Sequence, residues 1–215
     1  MSEAKKIDEL ITASRALYDR KLIHAAGGNT SIRHGDVVWI SQTGAELGKL
    51  SKDKLVKVDL EGKVLKGSAP SKEMGMHLAM YKARENAHAV IHVHPTYSIA
   101  YSTLIGEESA NAVPPYTAAF YVRAGRVPMI RYHPSGAHSL HEAVEELAPS
   151  YHAILLRQHG LIVAGADMST AIGVVEEVEQ CCQISVVTGL KGASLTKSQL
   201  QAIDTAMGRS CDDVA

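Results

Sequence analysis

The segment AVIHVHPTYS, residues 89–98, places two histidines one residue apart in an apolar run that ends at a proline. The run predicts a β-strand, in which alternate residues share a face, so His92 and His94 point the same way. Such a pair is consistent with two hydrogen-bonded core histidines or with two ligands for a divalent ion such as zinc. A third ligand elsewhere in the chain would decide between these interpretations.

The candidate third ligand is His159, in the segment LLRQHGLIV at residues 155–163. Gly160 follows it at a corner between two predicted strands, where a glycine permits a tight turn or a close approach. Taken alone, His159 is more readily explained as a structural residue. Together with His92 and His94 it would complete a three-histidine site with open coordination positions, which is typical of a catalytic metal centre.

A catalytic metal centre also needs an acid or a base, and Glu73 is the candidate. The segment APSKEMGMHLAMYKAREN, residues 69–86, predicts a helix that Ser71 opens, with His77 on its apolar stripe. Glu73 would then lie in the first turn, where the helix dipole favours its ionised form. The alternative interpretation is a favourable N-terminal glutamate with no chemical role.

Three segments have the composition of anion-binding loops: GGNTS at 27–31, SQTGAE at 41–46 and APSKE at 69–73. They combine small residues with hydroxyl and amide donors, and the last precedes a helix whose first backbone N–H groups are free. Each is also ordinary turn chemistry. The candidate phosphate-binding residues are Gly28, Asn29, Thr43, Gly44, Ser71 and Lys72.

The 215 residues contain no linker or internal repeat, which predicts a single domain over residues 1–215. Strands are predicted at VVWIS (37–41), at LVKVD (55–59) with VLKG (64–67) as a hairpin, and at YHAILLRQHG (151–160) paired with LIVAG (161–165). Helical patterns lie between them. This order predicts an α/β fold with an antiparallel-rich sheet covered by helices, not a doubly wound parallel sheet.

Charge and composition limit the partners. A formal net charge of −1 gives no electrostatic reason to expect nucleic acid or an anionic membrane. The N-terminal segment lacks the pattern of a secretory signal and no run reaches transmembrane length, which favours a cytoplasmic location. Three cysteines, two of them adjacent at Cys181 and Cys182, predict neither a disulfide framework nor a thiolate zinc site, and we expect them to be reduced.

The motifs GGNTS, QTG, PSKE, HVHP and QHG, in this order and over nearly the whole chain, resemble those of the class II aldolase/adducin-head family. That family includes L-fuculose-phosphate aldolase and L-ribulose-phosphate 4-epimerase. The resemblance implies a three-layer αβα fold with a central, largely antiparallel sheet, assembled as a homotetramer with sites near subunit contacts. It also implies a bound Zn²⁺, with Mn²⁺ or Co²⁺ as alternatives, and a phosphorylated small-molecule substrate.

The resemblance also assigns roles to residues of this chain. It implies that His92, His94 and His159 bind the metal and that Glu73 is the acid/base, while the phosphate is held by Gly28, Asn29, Thr43, Gly44 and Ser71. Tyr116, in VPPYTAAF, matches by position a tyrosine that in the aldolases donates a proton in a neighbouring subunit's site. A buried aromatic under the loop is the alternative for Tyr116.

Lys72 is a departure from the aldolase pattern, because the sugar-phosphate aldolases usually have Ser-Ser-Glu where this chain has Ser71-Lys72-Glu73. The PSKE form and the segment PPYTAAFYVRAGRVPMIRY are similar to the branch that decarboxylates 3-oxo-tetronate 4-phosphates to dihydroxyacetone phosphate. A cation beside the phosphate suits a substrate that also carries a carboxylate. The alternative is that Lys72 strengthens phosphate binding or points to solvent.

The function expected from this resemblance is a metal-dependent carbon–carbon lyase of carbohydrate metabolism that acts through an enediolate. If the departing fragment is CO₂ the enzyme is a decarboxylase, and if it is an aldehyde it is an aldolase of the L-fuculose-phosphate type. A metal-dependent hydrolase would not need the phosphate motifs, and Lys72 gives no support to a 4-epimerase. A non-catalytic, adducin-like interaction domain is the alternative of another class, but such domains lack the full histidine triad.

Overall fold

An eight-stranded mixed sheet organises the computed structural model, which describes residues 2–208. Its strand order is β4-β3-β2-β1-β5-β8-β7-β6. Neighbouring strands are antiparallel except β6 and β7, which are parallel. The strands are β1 (Asn29–His34), β2 (Val37–Ser41), β3 (Leu55–Asp59), β4 (Val64–Lys66), β5 (Ala89–Val93), β6 (Met129–Ile130), β7 (Ala153–Leu156) and β8 (Gly160–Gly165).

Seven helices flank this sheet within the described residues. Several begin at side-chain caps: Asp167 accepts a hydrogen bond from the Thr170 N–H, and Thr196 forms a capping box with Gln199. None of the helices within residues 2–208 combines the length and apolarity that crossing a membrane requires. The helices are α1 (Glu3–Asp19), α2 (Met74–Ala83), α3 (Thr96–Leu104), α4 (Ala118–Ala124), α5 (His138–Leu147), α6 (Met168–Val187) and α7 (Lys197–Met207).

Two apolar clusters on opposite faces of the sheet make the fold three-layered. Alternation along β5 sends Ile91 and Val93 into the cluster with α1, α3, α4 and α6, whereas Val90 joins the cluster with α2 and α5. His92 therefore shares the face of Val90, toward α2. This architecture confirms the expected αβα fold with a largely antiparallel sheet.

Helix α6 contributes many residues to the apolar cluster that it shares with α1, α3 and α4. Cys181 and Cys182 lie on its buried side as free thiols. Burial raises the pKa of the Cys182 thiol, which keeps it protonated at neutral pH. Both cysteines therefore act as packing residues. The third cysteine, Cys211, lies outside the described residues.

The predicted hairpins are confirmed, since β3 pairs with β4 and β7 with β8, both antiparallel. Two elements were not predicted, strand β1 and helix α4. Ser71 was predicted to open α2, which is wrong: the helix begins at Met74, and Glu73 is its N-cap residue. Ser71 instead forms a turn before the helix, because its carbonyl accepts the Met74 N–H and its hydroxyl accepts the Glu73 N–H.

Candidate active site

Three histidines meet at the ends of the central strands. His92 lies on β5, His94 follows that strand directly, and His159 lies in the turn before β8. The Nε2 atoms of His92 and His94 are 3.0 Å apart, and one ring nitrogen from each of the three histidines lies within 4.8 Å of the others. Three converging imidazoles are a donor set that suits zinc and similar divalent ions.

The hydrogen bonding of this histidine cluster (His92, His94 and His159) also fits a metal. His92 Nδ1–H donates to the Leu161 carbonyl at 3.1 Å, which leaves its Nε2 lone pair directed into the cluster. Burial lowers the pKa of His94 to about 3, and the neighbouring His92 and His159 act in the same direction. A neutral imidazole is the form that binds a metal ion, so the residues present fit the metal that the sequence implies.

Two glycines set the spacing of the cluster by allowing backbones to approach. Gly28 has a φ of +79°, and a Cβ at this position would lie 2.6 Å from the His92 carbonyl oxygen. A Cβ on Gly160 would overlap the Val93 carbonyl oxygen and would lie 2.9 Å from His94 Cδ2. Only glycine permits these contacts, and the close approach predicted at Gly160 is present.

Glu73 is buried against the histidine cluster. Its Oε2 lies 3.2 Å from His92 Nε2, and its Oε1 lies 3.2 Å from His159 Nε2. The carboxylate also accepts hydrogen bonds from Asn29 Nδ2 at 2.8 Å and from Ser135 Oγ at 2.7 Å. Burial by itself raises the pKa of Glu73, but the adjoining His159 and His92 side chains, and then the Ser135 hydroxyl, lower it.

A cavity of about 290 Å³ opens beside Glu73 and His94. A turn closed by the Ala45 N–H and the Gln42 carbonyl forms one wall, and Gly44 provides the φ of +71° that this turn requires. Two larger cavities, of about 820 and 660 Å³, lie away from the histidine cluster, between α1 and α6 and beside β6. The lining of the cavity beside Glu73 and His94 includes all six candidate phosphate-binding residues: Gly28, Asn29, Thr43, Gly44, Ser71 and Lys72.

Lys72 lines this cavity beside Glu73 and His94, the anion cavity. Its backbone N–H donates to Thr43 Oγ1 at 3.2 Å, which ties the segment before α2 to the turn at residues 42–45. The residue is exposed, and a Cβ on Gly136 would lie 3.0 Å from its Cβ. The exposed side chain therefore belongs to the cavity lining, while the backbone is held by Thr43.

Tyr116 does not line the anion cavity. Its hydroxyl accepts a hydrogen bond from Ser185 Oγ at 3.4 Å, and its partly buried ring packs against the apolar cluster that includes α6. The side chain thus contacts the helix layer of its own chain. Its expected role as a proton donor in a neighbouring subunit's site stays a prediction.

Two residues at the site were not predicted as functional. Ser135 contacts Glu73 from a loop 62 residues further along the chain, and no motif marks it. His77 is fully buried, and its Nε2 meets Asn29 Oδ1. The sequence did offer one sign of a role for His77: it lies four residues after Glu73, which places both side chains on one helical face. The apolar stripe of the helix explained this position equally well.

The comparisons with known proteins agree with this geometry. Residues 8–186 match the model of the family described as Class II Aldolase and Adducin N-terminal domain. A 3-oxo-tetronate 4-phosphate decarboxylase of Haemophilus influenzae is 32% identical over 206 residues, covering 95% of this chain and 98% of the relative. An L-fuculose phosphate aldolase of Methanococcus maripaludis is 34% identical over 181 residues, covering 84% and 96%.

Solved structures with a similar fold include proteins of the same kind. YgbL of Klebsiella pneumoniae superposes with a TM-score of 0.89 at 30% identity, covering 94% of this chain and 99% of that one. An L-fuculose 1-phosphate aldolase superposes with a TM-score of 0.84 at 25% identity, covering 97% and 98%. The relatives support a lyase of the class II aldolase type. By its sequence, its fold and its histidine cluster, this chain belongs to the Class II Aldolase and Adducin N-terminal domain family.

Proposed function

We propose that this protein is a zinc-dependent lyase that decarboxylates a 3-oxo-tetronate 4-phosphate to dihydroxyacetone phosphate and CO₂. The observation that carries the proposal is the position of Lys72, which lines one cavity together with Glu73, His94 and the other phosphate candidates. Relatives named 3-oxo-tetronate 4-phosphate decarboxylase, at 32% identity, also favour it.

Binding divides between two ends of the anion cavity. The turn that contains Thr43 and Gly44, with Ser71 and Asn29, offers hydroxyl, amide and backbone groups to the substrate phosphate. Lys72 offers its ammonium to the substrate carboxylate. The rest of the substrate then extends toward His94 and Glu73.

A divalent ion held by His92, His94 and His159 would polarise the substrate carbonyl and stabilise the negative charge that develops as the carbon–carbon bond breaks. The bond to the carboxylate breaks, CO₂ leaves and the electron pair stays with the substrate carbon. That carbon takes up one proton, which Glu73 delivers after receiving it from solvent. Asn29 and Ser135 hold the Glu73 carboxylate in place for this transfer.

A second candidate is an aldolase of the L-fuculose-phosphate type, which would release dihydroxyacetone phosphate and an aldehyde. The relative from Methanococcus maripaludis, 34% identical and named L-fuculose phosphate aldolase, favours it. Both reactions use the same phosphate cavity and the same proton transfer. They differ in the fragment that leaves, and so in whether a carboxylate must be bound.

The deciding experiment measures dihydroxyacetone phosphate in a coupled assay, run in parallel on 3-oxo-tetronate 4-phosphates, L-fuculose 1-phosphate and L-ribulose phosphates, with CO₂ release recorded. We expect CO₂ and dihydroxyacetone phosphate in equal amounts from a 3-oxo acid phosphate. Dihydroxyacetone phosphate and an aldehyde from fuculose phosphate, without CO₂ from any acid, would establish the aldolase instead. A metal-loaded protein inactive on every substrate would contradict both.

We also propose a homotetramer acting in the cytoplasm, with sites near subunit contacts. This assembly would bring a neighbouring subunit's Tyr116 to the site, as the resemblance implies. Light scattering or native mass spectrometry tests the assembly. A monomer with full activity would remove any catalytic role for Tyr116 across subunits.

A further inference from the structure

A buried ladder of polar side chains extends from Glu73 away from the histidine cluster. Asn29 and Ser31 lie two apart on β1 and share a face, while Glu73, His77 and Tyr81 lie four apart at the start of and along α2 and share a face. Strand and helix thus present alternating polar groups to each other. All five side chains are buried, with exposed fractions between 0% and 5%.

Hydrogen bonds connect the ladder in sequence. Asn29 Nδ2 donates to Glu73 at 2.8 Å, and Asn29 Oδ1 meets His77 Nε2. On the other side of the ring, His77 Nδ1 lies 2.7 Å from Ser31 Oγ, which lies 2.9 Å from the Tyr81 hydroxyl. Each polar atom therefore meets its neighbour, as buried polar groups require.

The donors and acceptors along the ladder follow from its first member. A carboxylate can only accept, so the Asn29 amide turns its NH₂ to Glu73 and its oxygen to His77. That oxygen needs a donor, which places the ring proton of His77 on Nε2. Nδ1 then accepts from the Ser31 hydroxyl, and the Ser31 oxygen accepts from Tyr81.

A neutral His77 ring is consistent with this arrangement. Burial lowers the pKa of His77 to about 3, and the nearby His92 acts in the same direction. A neutral ring carries one N–H and one lone pair, and the ladder uses both. The tautomer of His77 is thereby tied to the orientation of the Asn29 amide.

We infer that His77 is a positioning residue: its Nε2–H fixes the Asn29 amide so that the amide NH₂ holds the Glu73 carboxylate in its catalytic orientation. The inference rests on the proposed function for the role of Glu73, but the hydrogen-bond geometry stands on its own. Without the Nε2–H donor the amide oxygen loses its partner, and the amide is no longer held with its NH₂ aligned on the carboxylate. His77 does not line the anion cavity, and its ring nitrogens meet Asn29 and Ser31, so its hydrogen-bonded route to Glu73 runs through Asn29.

Two substitutions separate this role from simple packing. His77→Gln keeps an N–H donor at the distance of Nε2 and can still reach Asn29, whereas the shorter His77→Asn reaches only the Nδ1 position, beside Ser31. Ser31→Ala is the matched control, because it removes the bond on the other side of the ring and leaves His77 facing Asn29. Thermal unfolding and metal content verify that each variant is folded and loaded with zinc.

The experiment combines a substrate-free and a kinetic measurement on zinc-loaded protein. Proton–nitrogen NMR of labelled histidine and asparagine reports the His77 tautomer and the Asn29 side-chain amide. We expect an Nε2–H tautomer and an Asn29 amide signal that is shifted and slow to exchange. Both features of Asn29 should survive in His77→Gln and disappear in His77→Asn.

Turnover should follow the NMR signals. Loss of a partner that orients a catalytic group costs about 10- to 100-fold in activity, so kcat of His77→Asn should fall by that factor while KM changes little. His77→Gln should recover most of it, and Ser31→Ala should lose less than His77→Asn. Equal kcat values in His77→Asn and His77→Gln would overturn the inference.

The NMR result decides the inference even if the proposed reaction fails. An Nδ1–H tautomer, or an Asn29 signal that is unchanged in His77→Asn, overturns the positioning role whatever the substrate. The expected tautomer and Asn29 signals, in a protein that is inactive on every phosphorylated acid and sugar tested, would support the hydrogen-bond ladder and overturn the proposed reaction alone.

Discussion

The histidine cluster and the anion cavity adjoin each other at Glu73, yet they are built from different parts of the fold. His92 is fully buried on β5, which has hydrogen-bonded neighbours on both sides. Thr43, Gly44 and Lys72 are exposed and lie outside the strands and helices. His92 is thus held within the sheet and His94 and His159 lie directly at strand ends, whereas the exposed groups expected to recognise the substrate lie in loops.

This difference suggests how one fold accommodates more than one substrate. A change in a loop residue such as Lys72 leaves undisturbed the strands β5 and β8, on or next to which the histidines lie. A change in the cluster alters the metal site and the packing of the central strands together. Substitutions in the histidine cluster should therefore reduce metal binding and activity strongly, whereas substitutions in the loops of the anion cavity should change substrate preference by a smaller amount.

The largest effect is expected within the cluster. His94→Ala should reduce bound metal from about one ion per chain to almost none, with loss of activity, because two imidazoles are too few for a catalytic zinc site. Elemental analysis and an activity assay measure this. His138→Ala, at an exposed position on α5, is the control and should keep its metal. Full activity in protein verified to be metal-free would contradict the assignment.

Glu73→Gln tests the boundary between the two regions. The amide is nearly isosteric but cannot transfer a proton at neutral pH, so turnover should fall by about 10²-fold or more, the usual scale for a positioned acid or base. Metal content should be retained. Glu142→Gln on the exposed side of α5 is the matched control. Unchanged turnover would make Glu73 a structural N-cap residue only.

Lys72→Ser tests the loop side and should act on one substrate class alone. If the ammonium pairs with the carboxylate, use of a 3-oxo acid phosphate should weaken by about 1.5–3 kcal/mol, the range for a hydrogen bond to a charged group. Values of kcat/KM on this acid and on a neutral sugar phosphate provide the measurement. Equal losses on both substrates would place Lys72 on the shared phosphate and favour the aldolase.

The smallest effect is expected at Thr43, whose hydroxyl accepts the Lys72 N–H. Thr43→Val removes a neutral hydrogen bond and should cost about 0.5–1.5 kcal/mol in kcat/KM on any phosphorylated substrate. Thr103→Val, on an exposed part of α3, is the control. A loss confined to one substrate class would show that the turn recognises more than the phosphate.

The same contrast between regions explains which features were predictable. Short, nearly continuous apolar runs such as VVWIS and AVIHV were correctly predicted as strands because such runs indicate burial directly. Strand β1 was missed because Asn29, Thr30 and Ser31 are buried polar residues whose partners lie on other elements. Helix α4, seven residues long and close behind two prolines, was too short for a periodic signal.

At the site, the motif residues were predicted and their partners were not. The six anion candidates and the three histidines were recognisable because each belongs to a short segment of unusual composition. Ser135 contacts Glu73 across 62 residues and His77 contacts Asn29 across 48 residues; the spacing of four between Glu73 and His77 is the one signal in their own segments. Such pairings depend on the register between strand and helix, which only the folded chain reveals.

Gly160 has a consequence for any attempt to redesign the metal preference of this protein. Because the Val93 carbonyl occupies the space that a side chain would need, the separation of the imidazoles is set by two backbones in contact. Exchanging ligand side chains would leave the spacing of the two backbones unchanged. A substitution at Gly160 would push β8 away from β5 and open the site at the expense of the sheet.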